Sequence, residues 1–272
     1  MSAQNMMISA ADMDEKSLYR AGDVAVGPDG RWLYRVGGIS ALVLGIGYLL
    51  AFPVITYAGG FPPAGVEARL AFFAEHATGW WAITGLMIFT DLLYVPVFLA
   101  LYLALKGINK YMMLLALACE GLFVALDLAV TWTAYSSLII LGGSYAAAAS
   151  DGQRAIIVAA AGYPSMIIDS PLLGIYAIMI PALGLLLVSL VMRKGIFNTA
   201  LAYLGVVAGI SGILAGVGPL FISDLETAQK INAGLATIWF FVVGWKLYRL
   251  GRQPVAKAEI SAFASPPDTA RA

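Results

Sequence analysis

The stretch Trp80–Leu105 reads WWAITGLMIFTDLLYVPVFLALYLAL. After the turn Lys106–Lys110 (KGINK), the chain continues over Tyr111–Leu141 as YMMLLALACEGLFVALDLAVTWTAYSSLIIL. Each half exceeds the roughly 20 apolar residues that carry a helix across the hydrocarbon core. A five-residue turn with two lysines leaves them no arrangement but an antiparallel hairpin. Working outward, four more runs qualify: Leu33–Tyr57, Ile168–Met192, Ala200–Phe221 and Asn232–Leu250. The third run, Tyr111–Leu141, is long enough to tilt or to project. The expected fold is therefore all-α and polytopic, with six transmembrane helices arranged as three hairpins. Ala155–Ala161, ahead of Pro164, is too short to span and reads as part of an interfacial helix.

Composition agrees. The 272 residues are 61% apolar and only 12% charged, and mean hydropathy is +0.85. A soluble domain is about half apolar and a quarter charged, so an ordinary cytosolic enzyme, a disordered chain and a nucleic-acid binder are excluded. The lipid bilayer is the first partner.

Orientation follows from the sixteen Lys and Arg residues. Thirteen flank one set of span ends, among them Arg31, Arg35, Lys106, Lys110, Arg193, Lys194, Lys246, Arg249 and Arg252. Only Arg69, Arg154 and Lys230 fall on the other side. This positive-inside pattern predicts that both termini are cytoplasmic. Residues 1–30 form an acidic cytoplasmic tail, with a short helix near Asp14–Tyr19, and lack the basic start and apolar core of a signal peptide. Residues 31–252 form the membrane domain. Residues 253–272, with Pro266 and Pro267, read as a disordered cytoplasmic tail.

The connections on the side opposite the termini are longer. Val66–Ala77 places Val66, Leu70 and Phe73 on one helical face, followed by Trp80 and Trp81 at interface depth. Ser150-Asp151-Gly152-Gln153 and Ser223-Asp224-Leu225-Glu226 have the spacing of capping boxes. His76, the single histidine, reads as a solvated loop residue, and Cys119, the single cysteine, as a small buried hydrophobe. One histidine and one cysteine exclude a multi-His zinc site and a two-cysteine redox centre.

Lipid supplies no hydrophobic force between helices, so small residues mark the contact faces. Gly205, Gly209, Gly212 and Gly216 form such a face on the fifth span, and Gly37, Ala41 and Gly45 on the first. Packing within one chain is the expectation, with oligomerisation left open. Pro96, Pro171 and Pro181 lie inside the predicted spans and should kink or unwind them locally.

The chemistry rests on acids. Asp91, Glu120 and Asp127 lie within spans, Asp169 begins the fourth, and no Lys or Arg lies at comparable depth. Such acids are costly in lipid and should face the bundle interior. Counted at 1.5 Å per residue, Asp91 lies about 16 Å from the outer end of its span and Glu120 about 14 Å from the inner end of the next. Both therefore fall near the midplane, where they are expected to approach each other. Two ionised carboxylates so placed would repel strongly, so at least one should retain a proton. Glu120, Asp127, Thr131 and Tyr135 share one helical face, as do Thr84, Asp91, Tyr94 and Tyr102, and Asp169 with Tyr176. A polar seam is expected, able to hold a proton, a hard cation or a small amphiphile. The same acids could instead only lock helix packing in a non-catalytic subunit or scaffold.

No phosphate loop, dinucleotide fingerprint or Gly-x-Gly-Asp protease motif is present. No catalytic residue, metal ligand or cofactor is assigned, and carboxylate chemistry on a lipid has no specific support.

LYRVGGISALVLGIGYLLAFP (Leu33–Pro53), VMRKGIFNTALAYLGVVAGISGILAG (Val191–Gly216) and IWFFVVGWKLYRLGR (Ile238–Arg252) together resemble a widespread bacterial integral-membrane family, catalogued as domain of unknown function 4386. The resemblance covers roughly Arg31–Arg252. The family pattern has Pro after the fourth span's basic turn, where this chain has Asn198-Thr199. The resemblance implies six spans in a bacterial cytoplasmic membrane and transfers no catalytic residue.

Overall fold

A computed structural model describes residues 28–221 and 226–252. The expected tails, the helix near Asp14–Tyr19 and the Ser223–Glu226 box lie wholly or partly outside the described residues. Every described element is helical: α1 Pro28–Tyr57, α2 Val66–Leu126, a π turn Asp127–Thr131, α3 Trp132–Ala146, α4 Asp151–Asp169, a π turn Gly174–Met179, α5 Ile180–Met192, α6 Thr199–Val217, a 3-10 turn Gly218–Leu220 and α7 Glu226–Leu250. In lipid only helices or closed barrels satisfy every backbone group internally. Five of the helical runs are long and apolar enough to cross a membrane, and one of these, Val66–Ala146, has 81 residues.

That run is not straight. Its backbone leaves helical geometry at His76 (φ −115°, ψ 16°) and at Asn109 (φ −153°, ψ 91°). Asn109 Oδ1 accepts from the Met112 amide at 3.1 Å and so caps the helix that follows. Trp132 Nε1 reaches Asp91 Oδ2 at 2.7 Å, although 41 residues of straight helix would separate them by about 60 Å. The chain therefore folds back at Asn109, giving six long apolar limbs. This all-helical architecture is compatible with a multi-pass membrane protein.

The limbs form a closed ring in chain order. α1 packs on the first limb of α2 and on α7; α7 packs on α6, α6 on α5, and α5 on the second limb of α2. Glycines permit the close approaches. A methyl at Gly37 would run into Ala100 and the Pro96 carbonyl, and one at Gly45 would lie 3.1 Å from the Phe241 ring. Gly205 faces Ser189 and Trp239, Gly209 faces Leu186 and Ala182, Gly212 faces Ala182 and Asn232, and Gly216 faces Gly174 and Met179. All these contacts lie within the chain.

The two ends of the ring differ. Arg35 Nε donates to the Gly251 carbonyl at 2.7 Å, Lys246 lies over the Phe197 ring, and Gly195 touches Ile108 and Leu105. Both described ends of the bundle and both basic turns therefore share one end. At the other end α1 stays beside the hairpin, a methyl at Gly79 lying 2.6 Å from Ala58 Cβ. There Leu70, Phe73, Trp80, Leu138, Ile139 and Ala161 build a second, separate core. Trp80 is buried and stacks on Tyr135 rather than marking an interface.

α4 joins this core through Ala161. Its Ser150 cap accepts from the Gln153 amide, and Gln153 Oε1 in turn accepts from the Ala149 amide at 2.8 Å. His76 is half-buried, stacked on Phe72 with Nδ1 at the Phe72 carbonyl. The fourth span begins at Gly174, not Ile168. Ser170 is extended, so Asp169 ends the preceding helix and Pro171 falls in the turn.

Candidate functional site

The acids separate into three environments. Register at Asn109 decides the first two. Asp91 lies eighteen residues before Asn109 and Asp127 eighteen after it, whereas Glu120 lies only eleven after it. Measured from the turn, Asp91 and Asp127 sit level at about 27 Å, and Glu120 at about 16 Å. The structure therefore brings Asp91 to Asp127 and Trp132, and leaves Glu120 about 10 Å deeper. The expected approach of Asp91 to Glu120 does not occur. Counts made from opposite ends meet at one depth only in a limb of about 30 Å, and the 29 residues from Trp80 to Asn109 rise about 43 Å.

Asp91 and Asp127 are each 5% exposed. Asp91 Oδ2 is occupied by the Trp132 indole, while Asp127 Oδ1 is buried without a partner. Asp127 opens a π turn, and a second π turn faces it across the bundle. The two are joined by a 3.0 Å hydrogen bond between the Thr131 and Tyr176 hydroxyls. The second π turn precedes Pro181, whose missing N–H removes the i→i−4 bond to the Ala177 carbonyl. Tyr135 is not part of this group; it packs among Phe73, Trp80 and Trp132.

Asp169 is elsewhere again. It makes a two-pronged ion pair with Arg69, at 2.6 and 3.1 Å, and Arg69 also donates to the Ser165 carbonyl. The Arg69 side chain is 3% exposed. The sequence counts Arg69 only among the three basic residues on the side opposite the termini, and nothing in its spacing announces this burial.

Glu120 stands alone. It is 1% exposed, and neither carboxyl oxygen has a partner. Gly184 of α5 makes room for it, since any side chain there would collide with Glu120 Oε1. Glu120 is among the residues lining a cavity of about 310 Å³ bounded by α1, both limbs of α2, α5 and α7. The cavity runs from Phe52, Phe61 and Asn232, at the end opposite the chain termini, inward to Phe98, Leu185 and Phe240. Tyr48 and Tyr94 cross it with a hydroxyl-to-hydroxyl hydrogen bond. No Lys or Arg lines it.

Tyr48, Gly184 and Asn232 are the members that sequence reasoning missed. Tyr48 stands alone in an apolar run, and Asn232 reads only as the start of the sixth span. Gly184 lies outside any repeated small-residue spacing. Among the described residues, no three His, Cys, Asp or Glu side chains converge to hold a metal ion. No protein-family model matches the chain, and neither a curated protein nor a solved structure does.

Proposed function

We propose that the chain is a six-span protein of the bacterial cytoplasmic (inner) membrane, with both termini cytoplasmic, that binds or moves a small amphiphile or cation through the central cavity. The observation that carries this reading is Glu120: a fully buried carboxyl, both oxygens unpartnered, in the lining of an apolar cavity. Buried polar groups are ordinarily satisfied, and an exception calls for a reason. Small-ligand sites are typically apolar clefts of about 300 Å³ or more with a few convergent polar groups. The resemblance to the domain-of-unknown-function family, with its bacterial membrane setting, is part of this proposal.

The scaffold reading is favoured for Asp169, which is held by Arg69, and for the Asp91 oxygen held by Trp132. For Glu120 no such contact exists.

Two measurements check the proposal. Benzyltrimethylammonium or its neutral carbon isostere neopentylbenzene should raise the unfolding temperature of the purified protein. A ligand at a hundred times its Kd stabilises by about 2.7 kcal/mol. Ala236→Phe, which fills the cavity from α7, should abolish the shift for both. Protection by neither compound would sink the binding reading. For orientation, the basic turns gather at the end that carries both described chain ends, which supports the positive-inside assignment. Reporter fusions after Lys110 and Lys194 should read cytoplasmic and one near Ser150 external. A cytoplasmic signal at Ser150 would rule out six spans in this orientation.

A further inference from the structure

Resting on that reading of the cavity, we infer that its ligand is an organic cation with an apolar body, and that one proton leaves Glu120 for each cation bound. Three features of the site carry this. The walls are aromatic: Tyr48, Phe52, Phe61, Tyr94, Phe98 and Phe240 line the space. Aromatic faces attract quaternary and substituted ammonium groups, and most strongly where water is excluded. One acid, Glu120, is among the lining residues, and both its oxygens are buried without a partner. Finally, the lining supplies one acid where a hard metal cation needs about six oxygen ligands, so Na⁺ or Ca²⁺ would lose more hydration than the site returns.

The proton follows from the same geometry. The titratable groups facing Glu120 are the Tyr48 hydroxyl from α1 and the Tyr94 hydroxyl from the first limb of α2, with Cys119 beside it in the chain. α5 presents Gly184 and α7 presents Asn232, Ala233, Ala236 and Phe240, none of them titratable. Asp91 and Asp127 lie about 10 Å further out. With no countercharge on any side, an isolated carboxylate in this enclosure is costly, so the empty site holds its carboxyl neutral. An arriving cation pairs with the carboxylate, and the O–H proton is released to solvent. Charge in the cavity is then balanced in both states: neutral acid when empty, ion pair when filled. In a membrane this one-for-one exchange is the elementary step by which a proton gradient drives cation movement.

The test uses the full-length protein in nanodiscs and benzyltrimethylammonium, which carries no proton of its own. Calorimetric titration in two buffers of different ionisation enthalpy counts the protons released. The expected result is close to one proton per cation, with Kd weakening about tenfold for each pH unit lowered while the empty site is protonated. Glu120→Gln should weaken benzyltrimethylammonium by more than tenfold and leave neopentylbenzene binding unchanged, which also shows that the variant is folded. Cation binding without proton release, or equal binding to Glu120→Gln, overturns the exchange. Binding of neopentylbenzene alone overturns the cationic ligand and leaves a neutral-amphiphile site. Binding of neither compound overturns the cavity reading itself.

Discussion

Gly209→Leu should cost the folded protein far more than an equal change on the exposed face of α6, with loss of monodisperse protein in detergent or a fall in unfolding temperature well beyond that of Val207→Leu. A methyl at Gly209 would already lie 2.7 Å from Leu186 Cβ, 2.9 Å from Leu186 Cα and 3.0 Å from the Ala182 carbonyl oxygen. These are backbone or near-backbone atoms of α5, which cannot rotate away as the end of a long side chain can. A leucine adds three further carbons in the same direction. Overpacking typically costs about 1–3 kcal/mol where neighbours can repack, so a contact against backbone belongs at or above that range. The alternative is separation of α5 from α6, which forfeits the dispersion contacts that hold membrane helices together. Val207 is 53% exposed on the same helix and has room for the extra methylene. Gly209→Ala should fall between the two. Equal stability of Gly209→Leu and Val207→Leu would show that α5 and α6 do not pack as described.

The six long apolar limbs were legible because each is a long apolar run, and the glycine face of α6 because small residues recur at fixed spacing. The site was legible only in part. Residue type identified Asp91, Glu120 and Asp127 as interior groups, since lipid tolerates them nowhere else. Their pairing depended on register, and the turn residue that sets it, Asn109, was visible in KGINK. Counting outward from that turn puts Asp91 opposite Asp127. Counting inward from Trp80 does not, because the limb from Trp80 to Asn109 rises about 43 Å, well past the roughly 30 Å of a hydrocarbon core. Burial is a tertiary property: Trp80 looks like an interfacial anchor until Tyr135 is known to stack on it. The cavity was not legible at all. It arises where Tyr48, Pro181 and Asn232, distant in sequence and without shared periodicity, meet around Glu120.

Arg69 and Asp169 give the second large effect, and an asymmetric one. Asp169→Asn should destabilise the protein more than Arg69→Met, although both delete the same ion pair. The reason is where each charge is left. The Arg69 side chain is 3% exposed and its Nε already lacks a partner. Without the carboxylate, its guanidinium keeps only the Ser165 carbonyl and a neutral amide. Removing one member of a buried pair costs about 3–5 kcal/mol because the other charge stays uncompensated, and the 54% exposure of Asp169 puts the loss toward the lower end. Arg69→Met removes the buried charge and keeps an unbranched apolar stem between Leu70 and the α4 contact. The Asp169 carboxylate it leaves behind turns to water. The double variant Arg69→Met/Asp169→Asn should therefore resemble Arg69→Met and be more stable than Asp169→Asn alone, a recovery that independent sites would not give. Thermal unfolding of the four proteins in one detergent measures this directly. If Asp169→Asn costs no more than Arg69→Met, the guanidinium reaches water in the folded state, and the pair does not hold α4 against the start of α2.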